Sequence, residues 1–209
     1  MNPTTTITPG EGWMLQTSSK STSNQRAQAL DSGGNEHAFA IYGTRKTETA
    51  EFTLGGEYSG NIAVPDLGGG ITDYTLTYSE TEFPKLSVSK DEAAGGGTFT
   101  LPFALPARTL GVPSVIAGVY TAIGNVPVKD LSIAVTCQHF EEMDGNGEYG
   151  TFNGMCDVTV TLTFNGIDGK PSPTMAEGWS LDSEATNAAN TGLNGGSIVY
   201  SKHFAVSAA

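Results

Sequence analysis

Asp130–Gly166 reads DLSIAVTCQHFEEMDGNGEYGTFNGMCDVTVTLTFNG, and here turn chemistry and apolar spacing give one register. Leu131, Ile133, Val135 and Cys137 alternate with polar or small residues, as do Cys156, Val158, Val160, Leu162 and Phe164. That two-residue period belongs to strands buried on one face. Between the two runs, Asn146-Gly147 suits the positive φ angles of a type I′ turn. With those residues as the loop, Cys137 faces Cys156, Val135 faces Val158, Ile133 faces Val160 and Leu131 faces Leu162. A slip of one residue would turn one strand's apolar set to the wrong side. The stretch predicts a long antiparallel hairpin.

Only the base of that hairpin is apolar. An extended arm from Leu131 to Gly145 reaches roughly 50 Å at about 3.4 Å per residue. Its tip carries Glu141, Glu142, Asp144 and Glu148 beside Phe140, Tyr149 and Phe152. A two-stranded ribbon alone is marginal in water. The outer half is therefore expected to protrude and to meet a neighbouring subunit, or else a loop of its own chain. The two cysteines, opposed at about 4.5–5.5 Å between Cα atoms, could form a disulfide. Two buried thiols are the expected state in a reducing compartment.

Composition sets the frame around the hairpin. The 209 residues include 27 glycines, and only 15% are charged, a balance that favours strands and turns over helices. Net charge is −12, which argues against a phosphate-binding surface, since affinity for nucleic acid draws on Lys and Arg. Seven acidic residues and no Lys or Arg lie between Asp130 and Gly169. The first ten residues lack the basic head and apolar run of a targeting segment. No stretch approaches the roughly 20 apolar residues of a membrane span. Synthesis in a cytosol is expected.

Residues 1–10, with two prolines and four threonines, read as an extended arm ahead of a β-rich body at 11–209. Glu11-Gly12-Trp13-Met14-Leu15 returns as Glu177-Gly178-Trp179-Ser180-Leu181. After each copy comes a polar, Ala-containing stretch, Ser19 to Asp31 or Asp182 to Asn190, that predicts one or two short helices. A double glycine and an apolar strand with Tyr then follow in both places. Asp73 to Leu86 also matches Asp130 to Met143 without gaps, setting Tyr74 with Leu131, Leu76 with Ile133 and Tyr78 with Val135. These repeats predict two related β units, about 11–92 and 128–209. An apolar segment bracketed by Pro and Gly joins them, within which Val115 to Gly124 is read as a helix packed on a sheet or a buried strand. The expected fold is all-β: an antiparallel β-sandwich or barrel with internal duplication, one long protruding hairpin and one or two short helices.

No catalytic or metal-binding set emerges. His37, His139 and His203 have no partner at metal-ligand spacing. The run Glu142 to Gly147 resembles the start of a calcium loop, but Asn153 stands where a bidentate Glu is needed. The triple glycines at 68–70 and 95–97 lack the Lys-Ser/Thr of a phosphate loop. Paired acids such as Glu80 with Glu82 read as a solvated edge. No enzyme activity, cofactor or metal is expected. Trp13 and Trp179 read as packing anchors, together with Cys137, Cys156, Asn146 and Gly147 in the hairpin.

A small acidic β subunit with an extended arm, a long hairpin with a polar aromatic tip and internal duplication resembles bacteriophage virion proteins, most of all tail tube subunits. That resemblance implies rings, usually hexamers, that join sheets edge to edge and stack through hairpins and arms. It implies contacts with the protein's own kind and with other virion proteins, location in the virion, and an acidic lumen that conducts DNA without specific binding. Phe140, Glu141, Glu142, Asp144, Tyr149 and Phe152 of the hairpin, with Thr4 and Ile7 of the arm, are the candidate contacts. A capsid decoration or head-fibre protein shares the arm and composition. A carbohydrate-binding module would instead use exposed aromatics such as Trp13, Trp179, Tyr149 and Phe152.

Overall fold

The structure, a computed structural model, describes residues 3–92, 97–124, 127–143, 149–167, 171–188 and 194–206. Its strands are β1 (Trp13–Leu30), β2 (Glu36–Leu54), β3 (Asn61–Ile62), β4 (Ile71–Ser79), β5 (Lys85–Asp91), β6 (Leu105–Pro106), β7 (Tyr120–Ala122), β8 (Val128–Met143), β9 (Tyr149–Ile167), β10 (Thr174–Met175), β11 (Ser180–Ala188) and β12 (Asn194–Ala205). Eight of them form one antiparallel sheet in the order β1-β2-β5-β4-β8-β9-β12-β11. The fold is all-β, and among the described residues there is no helix.

The expected short helices are strands instead. Ser19 to Leu30 completes β1 and Asp182 to Ala188 lies in β11. Both stretches are rich in Ser, Thr and Asn and have no apolar helical stripe, so an isolated helix of that length has little to hold it. Pairing with β2 and β12 satisfies one side of each main chain. Gly33-Gly34 serves the β1–β2 turn: the Asp31 carboxylate accepts from the Gly33 and Asn35 amides, and Gly34 has φ +80°. Gly196 lies within β12, where an added Cβ would sit 2.0 Å from the Ala185 carbonyl oxygen and 2.9 Å from the Phe164 ring.

One row of pairs runs unbroken across all eight strands, although local register shifts interrupt several of the ladders on either side of it. Leu15, Phe52, Leu86, Leu76, Ile133, Val160, Tyr200 and Leu181 form one row of direct neighbours. The row is symmetric about the Leu76–Ile133 pair at the centre of the sheet. Tyr74, Leu76 and Tyr78 of β4 oppose Val135, Ile133 and Leu131 of β8. A half-turn at that pair superposes the residues that the gapless match of β4 with β8 equates.

In β8 and β9 the inner ladder has the register read from the sequence, from Leu131↔Leu162 to Cys137↔Cys156. The ladder then shifts by one residue, and the outer pairs run from His139↔Asn153 to Met143↔Tyr149. The expected turn at Asn146-Gly147 lies, with the rest of 144–148, outside the described residues. Cys137 and Cys156 are joined as a disulfide. They are not the two thiols expected, because direct opposition in the ladder brings both sulfur atoms onto one buried face.

One face of the sheet is apolar. Phe52, Leu76, Leu86, Val88, Ile133, Val135, Val158, Val160 and Leu162 are buried there. The covering layer is irregular chain carrying two small ladders, β3 with β6 and β7 with β10. It contributes Ile62, Leu67, Phe99, Leu105, Ile116, Val119 and Tyr120 to the same core. The apolar segment before Gly124 is thus a turn leading into the short strand β7, and Gly118 takes φ +85° within it.

Three tyrosines of this core differ in one respect. The Tyr78 hydroxyl donates to the Pro106 carbonyl at 2.9 Å and that of Tyr120 to Pro113 at 2.7 Å, whereas the Tyr74 hydroxyl is buried without a partner. An unmade buried hydrogen bond costs about 1–3 kcal/mol, while a made one contributes about 1 kcal/mol. Tyr74→Phe is therefore expected to leave stability unchanged or raised. Tyr78→Phe should lower it by about 1 kcal/mol, both read from urea denaturation. The reverse order would mean that the Tyr74 hydroxyl is satisfied.

Candidate assembly surfaces

Among the described residues no layer covers the second face of the sheet. Alternation places Thr53, Thr75, Thr77, Ser87, Ser132, Thr159, Thr161 and Ser201 on it, all half-buried or exposed. Among the described residues Glu51, Asp73, Asp130 and Asp157 share this face with Lys85 and His203, and Asp182 reaches it, accepting from the Ser201 hydroxyl at 2.8 Å. Several are tethered by hydroxyls. Glu51 accepts from Thr17 at 3.0 Å, and Asp73 accepts from Thr72 and Ser89, both at 2.9 Å. A shallow hollow of about 430 Å³ opens between Gln16, Thr53, Thr75, Thr77, Lys85 and Ser87. Among the described residues no group of three or more His, Cys, Asp and Glu side chains converges as metal ligands do.

The sheet ends in two open edges. Among the described residues β1 pairs only with β2, and β11 only with β12, so there each leaves one row of main-chain donors and acceptors without a strand partner. Both edges begin alike. Gly12 and Gly178 have φ of +83° and +85°, a conformation open to glycine but strained for other residues. Each turn delivers a half-buried tryptophan that packs against the core. The Trp13 indole donates to the Ala63 carbonyl at 2.7 Å, and the Trp179 indole to that of Gly118 at 2.9 Å.

The N-terminal arm is docked on its own chain. Ile7 is buried in the core, and so is removed from the surface where a contact between subunits would need it. Glu48 lies at the end of the apolar face beside it. The Thr6 amide and hydroxyl donate to the Glu48 carboxylate at 3.0 and 2.5 Å, with Lys20 at 3.7 Å. Burial pushes the Glu48 pKa up, but hydrogen bonds from Thr5 and Thr6 and the charge of Lys20 outweigh it and hold the carboxyl below its ordinary value. Thr4 is exposed and its carbonyl accepts from the Ser18 hydroxyl at 2.9 Å.

Of the hairpin candidates, Phe140, Glu141, Glu142, Tyr149 and Phe152 lie in the outer β8–β9 ladder. Asp144, Asn146 and Gly147 fall outside the described residues. The sequence reading missed a second ribbon, the outer parts of β1 and β2. Alternation in Ala38-Phe39-Ala40-Ile41 and the Asp31-Ser32-Gly33-Gly34 turn signal it in retrospect.

No protein-family model matches the chain, and a search of curated proteins finds no relative.

His203 offers a local test of the open face. Its Nδ1 contacts an Asp157 carboxylate oxygen from the neighbouring strand. That hydrogen bond, then the Asp157 charge, raises the imidazole pKa above its ordinary value. The pair's stabilising contribution is full below the unfolded-state pKa and is lost as pH rises through the raised folded value. An NMR titration should find His203 titrating above the ordinary imidazole value, and Asp157→Asn should bring it back down. An unchanged pKa in that variant would show that the pair does not govern it.

Proposed function

We propose that the chain is a self-assembling structural subunit of a bacteriophage virion, of the tail tube kind. Its sheet joins the sheets of neighbouring copies in a closed ring, with the hexamer favoured. The observation that carries this reading is the parity of the sheet. Eight strands alternate in direction, so the edge strands β1 and β11 run opposite ways. When two copies stand side by side in the same orientation, β11 of one meets β1 of the next antiparallel, and the ladder continues across the joint. Repeating such a head-to-tail contact closes a ring when its rotation divides a full turn. Closure also removes the open edges that would otherwise template aggregation.

The asymmetry between the faces then acquires a use. The covered face with its irregular layer points outward, and the Thr- and Ser-rich face lines the lumen. Glu51, Asp73, Asp130 and Asp157 repel phosphates there, so DNA passes without being held. The internal repeat fits the same picture. We read β1-β2-β5-β4 and β11-β12-β9-β8 as two related halves of a single sheet in circularly permuted order, the Gly-Trp edge hairpin coming first in one half and last in the other, so that both edges share that construction. The outer β8–β9 hairpin and the exposed start of the arm are left for contacts with the next ring and with other virion proteins.

Lysine at both edges is a means by which natural sheets stay unpaired. Ser19→Lys together with Ser183→Lys should leave a folded monomer with an unchanged thermal midpoint and abolish ring formation. Sedimentation velocity and negative-stain microscopy would read the difference. Wild-type protein that stays monomeric at every concentration, or a double variant that assembles as wild type does, would overturn the reading.

A further inference from the structure

Both edge strands begin beside the row that joins Leu15 to Leu181, and they leave it in opposite directions. Followed through the seven ladders, β1 runs from the row toward one end of the sheet and β11 toward the other. Two copies set side by side with their rows in line would therefore oppose only residues 13–16 and 180–183. Each edge is interrupted there, by a register shift between Leu15 and Thr17 in one and between Leu181 and Ser183 in the other. A bulge of this kind breaks the ladder locally and guards an edge against pairing. The uninterrupted parts of the two edges begin beyond the bulges, at 17–23 in β1 and 183–188 in β11. They lie on opposite sides of the row.

We infer that neighbouring copies join with a stagger, residues 183–187 of one pairing antiparallel with residues 17–21 of the next, so that Glu184 stands opposite Lys20. The inference rests on the edge-joining reading above and gives that joint its register. Opposed side chains of a ladder share a face. Glu184 is on the covered face, opposite the buried Ile198 of β12, and so are Ser18 and Lys20, opposite the buried Ala50 and Glu48 of β2. Matching the faces leaves Glu184 opposite Ser18, Lys20 or Thr22, and of these only Lys20 supplies the opposite charge. Lys20 then lies between Glu184 of the neighbouring copy and Glu48 of its own chain, 3.7 Å away. Lys20 stands four rungs from the row, and Glu184 two rungs on its other side. Adding the two displaces each copy along the strands by about 20 Å at about 3.4 Å per residue. The sheet is about 38 Å wide at about 4.8 Å per strand. A closed ring absorbs that step by tilting its strands about 28° from the ring axis, as closed barrels tilt theirs.

The test is oxidative crosslinking of assembled protein with copper phenanthroline, read on non-reducing gels. Ser19→Cys with Ala185→Cys sets two thiols opposite each other across the staggered joint, whereas Met14→Cys with Ser183→Cys sets them opposite each other across an unstaggered one. The native cysteines are already joined to each other. The expected result is a ladder of covalent oligomers from the first pair and crosslinking at least tenfold slower from the second. Equal or faster crosslinking of the second pair overturns the stagger and leaves the edge-joined subunit standing. Assembled protein in which neither pair crosslinks also overturns the stagger, and if Ser19→Lys with Ser183→Lys leaves assembly intact the edge joint falls with it. A protein that stays monomeric at every concentration overturns both.

Discussion

Burying one face of a single sheet is the constraint on which the rest of this structure depends. Eight strands put their apolar residues on the same side only while every pair holds its register, since a one-residue slip exposes a whole strand's apolar set. The row from Leu15 to Leu181 records that condition being met seven times in succession. A sheet of this kind needs a cover, and the irregular chain bearing Leu67, Leu105, Ile116 and Tyr120 supplies it. The arm completes the cover at one end, with Ile7 in the core and Thr6 on the Glu48 carboxylate. Among the described residues the other face carries no second layer.

The same alternation explains what could be read in advance. Where one face is buried, the pattern is strong, and the pairing of Leu131, Ile133, Val135 and Cys137 with their partners on β9 follows from sequence alone. So does the match of β4 with β8, which the structure places across the centre of the sheet. Ser19 to Leu30 was misread because it buries nothing. A polar strand in an exposed ribbon has no apolar period, and Ser, Thr and Asn are compatible with turns, short helices and strands alike. The shift between Cys137 and His139 was hidden for a related reason, since the outer ladder contains no alternating apolar set to pin its register. Redox state was illegible in principle: opposition of two cysteines is encoded, but the compartment is not.

The candidate surfaces divide along the same line. Trp13 and Trp179 stand out in sequence as the chain's two tryptophans in a repeated setting, and the structure uses both to anchor the start of an edge strand. Ile7 was expected to meet a neighbour, yet an isolated isoleucine among threonines and prolines is as suited to its own core, where it is found. The open edges themselves carry no sequence signature. They arise from strand order, which depends on pairings between segments far apart in the chain. For that reason the strongest argument for assembly, the opposed directions of β1 and β11, became available only with the topology.

Amide hydrogen exchange on monomeric and assembled protein tests the central claim most directly. The account predicts that the outward-facing amides of β1 and β11 exchange freely in the monomer and become protected together, in a single concentration-dependent step, when copies join. Assembled protein in which either edge still exchanges freely would contradict it, because a ladder continuing from one copy to the next must engage both edges at once.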